Sequence, residues 1–208
     1  MTSTPPRAVY HYFDIGPVGR GEVIKLFMKD AGIEFKQVLY PYDHTWPKIS
    51  QVLQQQGTTR TGQLPAVEYQ GMILIQHIPI LRYLARDLGR YDGETNAEKY
   101  LVDAVSDIYI DWRYRCGANF IKKDDTYKDE FVPQYYNTLG QYYNDHEGPY
   151  LLGDKVTYAD FAVYQSIDGD ERTGTLPFTL PDSLIRFREA FEQRPNITSY
   201  LKDRNPAL

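Results

Sequence analysis

A small α/β domain followed by an all-helical one is the architecture that this 208-residue sequence predicts. Three observations carry the prediction. Strand-like and helix-like patterns alternate over the first ninety residues. After about Gly89 every patterned segment has helical spacing. The composition, 42% hydrophobic and 25% charged, is that of a globular chain long enough to bury a core, as one large domain or two small ones.

The elements follow in order. Residues 9–13 are short, aromatic and β-prone, a strand. Residues 16–21 form a glycine-punctuated turn. Residues 22–29 place Val23, Ile24, Phe27 and Met28 at helical spacing, with Gly32 as C-cap. Residues 35–40 read as a second strand, so strand, helix and strand make a βαβ unit with a parallel pair. Residues 41–63 are polar, with Pro41, Pro47 and several glutamines, and read as a long irregular segment. Residues 64–69 and 72–75 form a hairpin around Gln70-Gly71. A helix over 77–88 closes this part. Residues 90–95 are a polar linker. Helices are then expected over 96–123, 128–146, 157–170, 182–193 and 196–203. Thr157-Tyr158-Ala159-Asp160 is a capping-box pattern with Asp in place of Glu, and Pro195 stands where a helix begins.

Composition excludes several classes. The formal net charge is −5, which argues against nucleic acid as the main partner, because phosphate binding needs a basic surface. No apolar run approaches the ~18–20 residues of a membrane span, and residues 1–7 lack a signal-peptide core. The expected address is the cytoplasm. Cys116 is the one cysteine, so an internal disulfide framework and a CxxC couple are ruled out. It lies in a helical run without a nearby histidine, which reads as a buried, inert thiol.

Few constellations carry chemistry. The four histidines are dispersed. Asp103, Asp107 and Asp111 share a helix face at i, i+4 spacing, a pattern that suits either a hard cation or a solvated acidic face, and the solvated face is the expectation. The segment Gly16-Pro17-Val18-Gly19-Arg20-Gly21 is neither GxGxxG nor a P-loop, yet it sets Arg20 beside a helix N-terminus. Tyr10 and Tyr12 share one strand face. A hydroxyl there can donate to a developing anion, and packing alone would equally account for both rings. Pro65 begins a strand, which fits either an edge or a special turn. A cis bond there would expose the Leu64 backbone to a ligand.

Taken together, four ordered segments resemble the cytosolic glutathione transferases. They are Tyr12-Phe13 with Gly19-Arg20-Gly21-Glu22; residues 62–67, Gly-Gln-Leu-Pro-Ala-Val; residues 75–84, Ile-Gln-His-Ile-Pro-Ile-Leu-Arg-Tyr-Leu; and residues 153–160, Gly-Asp-Lys-Val-Thr-Tyr-Ala-Asp. The pattern is closest to the tyrosine-type classes, sigma above all, with Trp46-Pro47-Lys48-Ile49 as support. The resemblance implies a thioredoxin-like, glutathione-binding domain over 1–88 and a helical domain over 89–208 that contributes the electrophile pocket. It also implies a homodimer with glutathione as co-substrate, a small hydrophobic electrophile as partner, and a role in detoxification.

The resemblance also implies roles for particular residues. Tyr12 matches the tyrosine that hydrogen-bonds the glutathione sulfur. A free thiol has a pKa of ~8.5, and a donor aimed at sulfur favours the thiolate. Leu64, before a cis-Pro65, matches the residue whose backbone pairs with the cysteinyl unit. Trp46 matches an aromatic beside the glycyl end, Lys48 is the candidate glycyl-binding lysine although it stands two after Trp46 where the family's lysine comes further on, and Gln63 and Gln76 match polar contacts to the peptide. Arg20 matches an arginine near the γ-glutamyl end. Asp111 matches an acid that reaches the partner subunit's bound γ-glutamyl ammonium. His77 departs from the family's serine, the segment between Tyr12 and Arg20 is long, and Ile110 replaces a carboxylate, so no metal is expected at Asp107. The alternatives to a conjugating enzyme are a glutathione-dependent isomerase or biosynthetic enzyme on the same scaffold, and a non-catalytic binding homologue. The pocket-lining segments are expected at residues 13–19, the first long helix and the C-terminal end near Leu208.

Overall fold

Strand β1 (Ala8–Phe13) lies inside a four-stranded sheet and is covered on both faces, so His11 is buried as well as Tyr10 and Tyr12. In the computed structural model, which describes residues 7–204, the sheet order is β2-β1-β3-β4. Helix α1 (Gly19–Ala31) ends at Gly32, whose φ of 68° lets Gly32 and Ile33 cap the last carbonyls. The chain then returns as β2 (Phe35–Tyr40), parallel to β1. Strands β3 (Ala66–Tyr69) and β4 (Met72–Ile75) are an antiparallel hairpin. Its turn residues Gln70 and Gly71 both have positive φ, 49° and 78°, the twist that suits a two-residue hairpin.

The segment expected to be irregular, 41–63, contains helix α2 (Trp46–Gln55). Pro47 sits in its first turn, where a missing N–H costs nothing. Trp46, Ile49 and Leu53 hold the i, i+3, i+7 spacing, but exposed glutamines dilute the pattern, and only Ser50 and Leu53 are buried. Glutamine is a good helix former, so a run of it is weak evidence for a loop.

Helix α3 spans His77–Leu88. The helical part continues with α4 (Asn96–Ile121), a π-helical turn at Tyr127–Phe131, α5 (Val132–Tyr142), α6 (Tyr158–Thr173), α7 (Asp182–Glu192) and α8 (Pro195–Asp203). The single helix expected over 128–146 is thus shorter and starts on a π turn, because Pro133 fits only an opening turn of α5.

Two compact units result, residues 7–83 with 195–204 and residues 84–194. In the first, α8 packs on α1. The fully buried Glu22 carboxylate accepts from the Tyr200 hydroxyl at 2.8 and 3.0 Å and pairs with Lys25 and Arg204. In the second, α6 is buried along residues 158–170. A helix buried all round needs apolar neighbours or satisfied polar ones, and tyrosine supplies both in one side chain. Tyr109 donates to Gln165 at 2.7 Å, Tyr135 to Ser166 at 3.1 Å and Tyr143 to Asp160 at 2.8 Å. Asp160 also takes the Thr157 and Leu151 backbone N–H groups, which completes the capping pattern expected from the sequence. Trp112 stacks between Tyr109 and Tyr135, and Cys116 is buried, while Tyr114 is exposed. Asp103 accepts from the Tyr158 hydroxyl, and Asp107 and Asp111 are exposed. Among the described residues no helix is long and apolar enough to cross a membrane.

Burial pushes the hydroxyls of Tyr127, Tyr135, Tyr136 and Tyr143 above the ordinary value of 10.0, and nearby Asp160 or Asp170 adds to the effect at each. The unfolded chain therefore loses protons above about pH 10 that the folded chain keeps, so stability falls as pH rises through that range. Each such group adds a slope of about 1.4 kcal/mol per pH unit. The expected result is a cooperative alkaline transition in which tyrosinate absorbance and loss of near-ultraviolet circular dichroism rise together. Gradual ionisation of these buried rings in a still-folded chain would contradict it.

Candidate functional site

The site is built where the carboxyl end of β1 meets the first turn of α1. Gly19 and Gly21 open that helix, and both face tyrosines. A methyl at Gly19 would land on the Tyr12 hydroxyl; one at Gly21 would land on the Tyr12 ring and the Tyr10 hydroxyl. Glycine is required here for close approach, and Gly19 also needs its φ of 76°. The Tyr12 phenol thus rests against the amino end of α1, where unpaired N–H groups and the helix dipole favour negative charge. Tyr10 lies deeper. It is fully buried, its hydroxyl has no hydrogen-bond partner among the described residues, and burial raises its pKa well above 10.0.

A second group of residues gathers across the sheet. Arg20, Thr61, Gln63, Leu64, Pro65, Ile75, Gln76 and His77 line one depression. The Leu64-Pro65 bond is cis, and the β3 strand that follows is internal to the sheet, so the ordinary edge-strand explanation of Pro65 does not apply. The approach to it is fixed by side chains. The Ser50 hydroxyl donates to the Gly62 carbonyl at 2.8 Å and the Thr59 hydroxyl to the Gln63 carbonyl at 2.9 Å. Gln76 has φ of 70°, an uncommon conformation for a side-chain-bearing residue, and its carbonyl accepts from Ile80 in the first turn of α3. Backbone outliers of this kind cluster at ligand clamps. The amino end of α3 therefore opens on the depression, an arrangement suited to a carboxylate.

Six of the ten residues singled out from the sequence thus come together: Arg20, Gln63, Leu64, Pro65, Gln76 and His77. The long segment before Arg20 does not carry it away from them. Tyr12 and Trp46 approach each other through Phe13, whose ring centroid lies 5.6 Å from Tyr12 and 4.5 Å from Trp46. Lys48 is exposed in the first turn of α2. Asp111 is exposed on α4, in the other unit. Thr61 and Ile75 line the depression as well, and sequence reasoning passed over both. The signal for Thr61 was the polar run Thr58-Thr59-Arg60-Thr61 before Gly62, and Ile75 has none beyond adjacency to Gln76. Of the segments expected to line an electrophile pocket, the end near Leu208 lies outside the described residues.

Known proteins resemble this chain along most of its length. The family profile "Glutathione S-transferase, N-terminal domain" matches residues 8–86, and "Glutathione S-transferase, C-terminal domain" matches residues 110–204. A "Probable glutathione S-transferase 7" of Caenorhabditis elegans is 30% identical over 165 residues, 74% of this chain and 75% of that protein. "Glutathione S-transferase 1" of Ascaris suum is 28% identical over 212 residues, 96% of this chain and 97% of that one. A solved Caenorhabditis elegans glutathione S-transferase superposes with a TM-score of 0.81 at 29% identity, covering 96% of this chain and 99% of its own.

Proposed function

The chain belongs to the glutathione S-transferase family and is a glutathione transferase with glutathione as co-substrate; from that premise we propose that Tyr12 activates the glutathione thiol for attack on a hydrophobic electrophile. Its fold is a thioredoxin-like domain followed by a helical one. In this reading residues 1–88 bind glutathione and residues 89–208 supply the electrophile pocket. The observation that carries it is the close approach of the Tyr12 phenol to the amino end of α1, its hydroxyl at Gly19 and its ring at Gly21.

The chemistry follows from that placement. A phenol donating to sulfur stabilises thiolate over thiol, and the α1 dipole favours the same charge. The thiolate forms a bond to an electrophilic carbon, and the leaving group departs with the electron pair of the bond it breaks. The thiol proton goes to solvent. The peptide's γ-glutamyl carboxylate suits the amino end of α3, with Gln76 and His77 as donors and Arg20 as nearby countercharge. The Leu64 backbone pairs with the cysteinyl unit beside Pro65, and Gln63 contacts the same peptide. Trp46 and Lys48 take the glycyl end. In a homodimer, Asp111 reaches the γ-glutamyl ammonium bound to the partner subunit. A cytoplasmic detoxifying role, with small electrophiles as substrates, agrees with this chemistry.

Calorimetric titration with glutathione tests binding and the Asp111 assignment together. Wild type should bind with sub-millimolar affinity. Asp111→Ala should bind about tenfold more weakly, the loss of one charge-assisted hydrogen bond, while its elution volume stays that of the wild type. No heat across millimolar glutathione would overturn the proposed binding mode, and unaltered affinity in the variant would remove Asp111 from it.

A further inference from the structure

The face of the sheet away from Tyr10 and Tyr12 carries a polar chain across three strands. Side chains alternate along a strand, so Val9, His11 and Phe13 of β1 share that face. The register sets Phe13 beside Tyr40 of β2 and Val9 beside Glu68 of β3. His11, buried between them, reaches both. Its Nδ1 lies 2.8 Å from the Tyr40 hydroxyl and its Nε2 2.9 Å from the Glu68 carboxylate. A carboxylate only accepts, so the Nε2 proton points at Glu68, and Nδ1 is left to accept from Tyr40. Burial first, and the Glu68 charge second, raise the Tyr40 phenol above its ordinary 10.0, so it keeps its proton as a donor.

The Tyr40 ring is thereby held in place. His11 stacks on it, with centroids 6.0 Å apart and planes at 16°. Trp46, the first residue of α2, lies 4.5 Å from Phe13 and 6.3 Å from Tyr40 between ring centroids. The half-buried Trp46 indole thus rests on two rings, one of which His11 tethers. Thr45, which precedes α2, gives the helix no side-chain cap. An apolar side chain at position 11 would fill the sheet as Val9 and Phe13 do, with no polar atoms to satisfy. What the imidazole adds is a fixed hydroxyl at position 40.

On the reading that Trp46 takes the glycyl end, we propose that His11 and Tyr40 are positioning residues that set the Trp46 indole and so let the protein prefer the tripeptide to a shorter thiol. Both lie on the sheet face away from Tyr12, so they act on binding and leave the attack on the electrophile unchanged.

The test compares glutathione with γ-glutamylcysteine, which lacks the glycyl unit, as co-substrates in conjugation of a chlorodinitrobenzene. Wild type should have the lower KM for glutathione. In Tyr40→Phe the KM for glutathione should rise about fivefold, the worth of one neutral hydrogen bond, with kcat changed by less than about twofold. The KM for γ-glutamylcysteine should stay at its wild-type value, which a general loss of structure would not allow. His11→Leu/Tyr40→Phe should be no worse than Tyr40→Phe, because both substitutions remove the same bond. Equal KM values for the two thiols in wild type would take Trp46 away from the glycyl end, and this role with it. A wild type that prefers glutathione, with Tyr40→Phe unchanged toward it or weakened equally toward both thiols, would overturn the positioning role alone.

Discussion

In Tyr12→Phe, conjugation of a chlorodinitrobenzene to glutathione should fall about 10- to 150-fold near neutral pH. That range is the loss of one hydrogen bond to a charged acceptor, about 1.5–3 kcal/mol, converted to a rate. The ring remains, and Gly19 and Gly21 still receive it, so the fold has no reason to change. Tyr12 acts by shifting the thiol's ionisation, so the deficit should depend on pH. Above about pH 9 a free thiol is mostly ionised without help, and the two rates should converge. A deficit equal at all pH values would mean that the hydroxyl positions the sulfur but does not ionise it.

Asp170→Ala should be the most destabilising single change in the helical unit. The Asp170 carboxylate accepts from Trp112 Nε1 at 2.8 Å and from the hydroxyls of Tyr127, Tyr136 and Thr175 at 2.7, 2.8 and 2.7 Å. Burial pushes its pKa up, and these four donors pull against that shift. Removing the acceptor strands four buried donors at once. The expected cost is about 4 kcal/mol or more, which for a chain of this size lowers the melting temperature by roughly 8–16 °C. Asp170→Asn keeps one acceptor oxygen and should lose less. A melting temperature within about 2 °C of wild type for Asp170→Ala would show that the network contributes little.

The Asp170 network marks where sequence reasoning stopped. Tyrosine outnumbers phenylalanine 19 to 9, and from the sequence most of these rings read as packing. In the fold the hydroxyls of Tyr109, Tyr127, Tyr135, Tyr136 and Tyr143 satisfy polar groups on α6, so phenylalanine would not have served. Nothing local reveals this, because the partners lie 17 to 56 residues away. The glycine-bounded elements were legible for the opposite reason. Gly32 and Gln70-Gly71 announce a helix end and a hairpin through local conformational needs, and β2, β4 and α3 have the expected bounds. Helix α2 was missed because its apolar face is narrow and its other residues are glutamines.

At the site, motifs located Gln63, Leu64, Pro65, Gln76 and His77 because they are adjacent in sequence as well as in space. The contact of Tyr12 with Gly19 and Gly21 was foreshadowed only as a strand end next to a glycine turn. The left-handed Gln76 and the lining role of Ile75 had no sequence signature of their own, because each depends on how two separate segments meet.

The most direct measurement is a spectrophotometric pH titration of the thiolate of enzyme-bound glutathione in wild type and Tyr12→Phe. The wild-type thiol should titrate well below the ~8.5 of a free thiol, and the variant's should return toward that value. Bound glutathione that titrates at the same pH in both proteins would contradict the assignment of Tyr12 as the activating group.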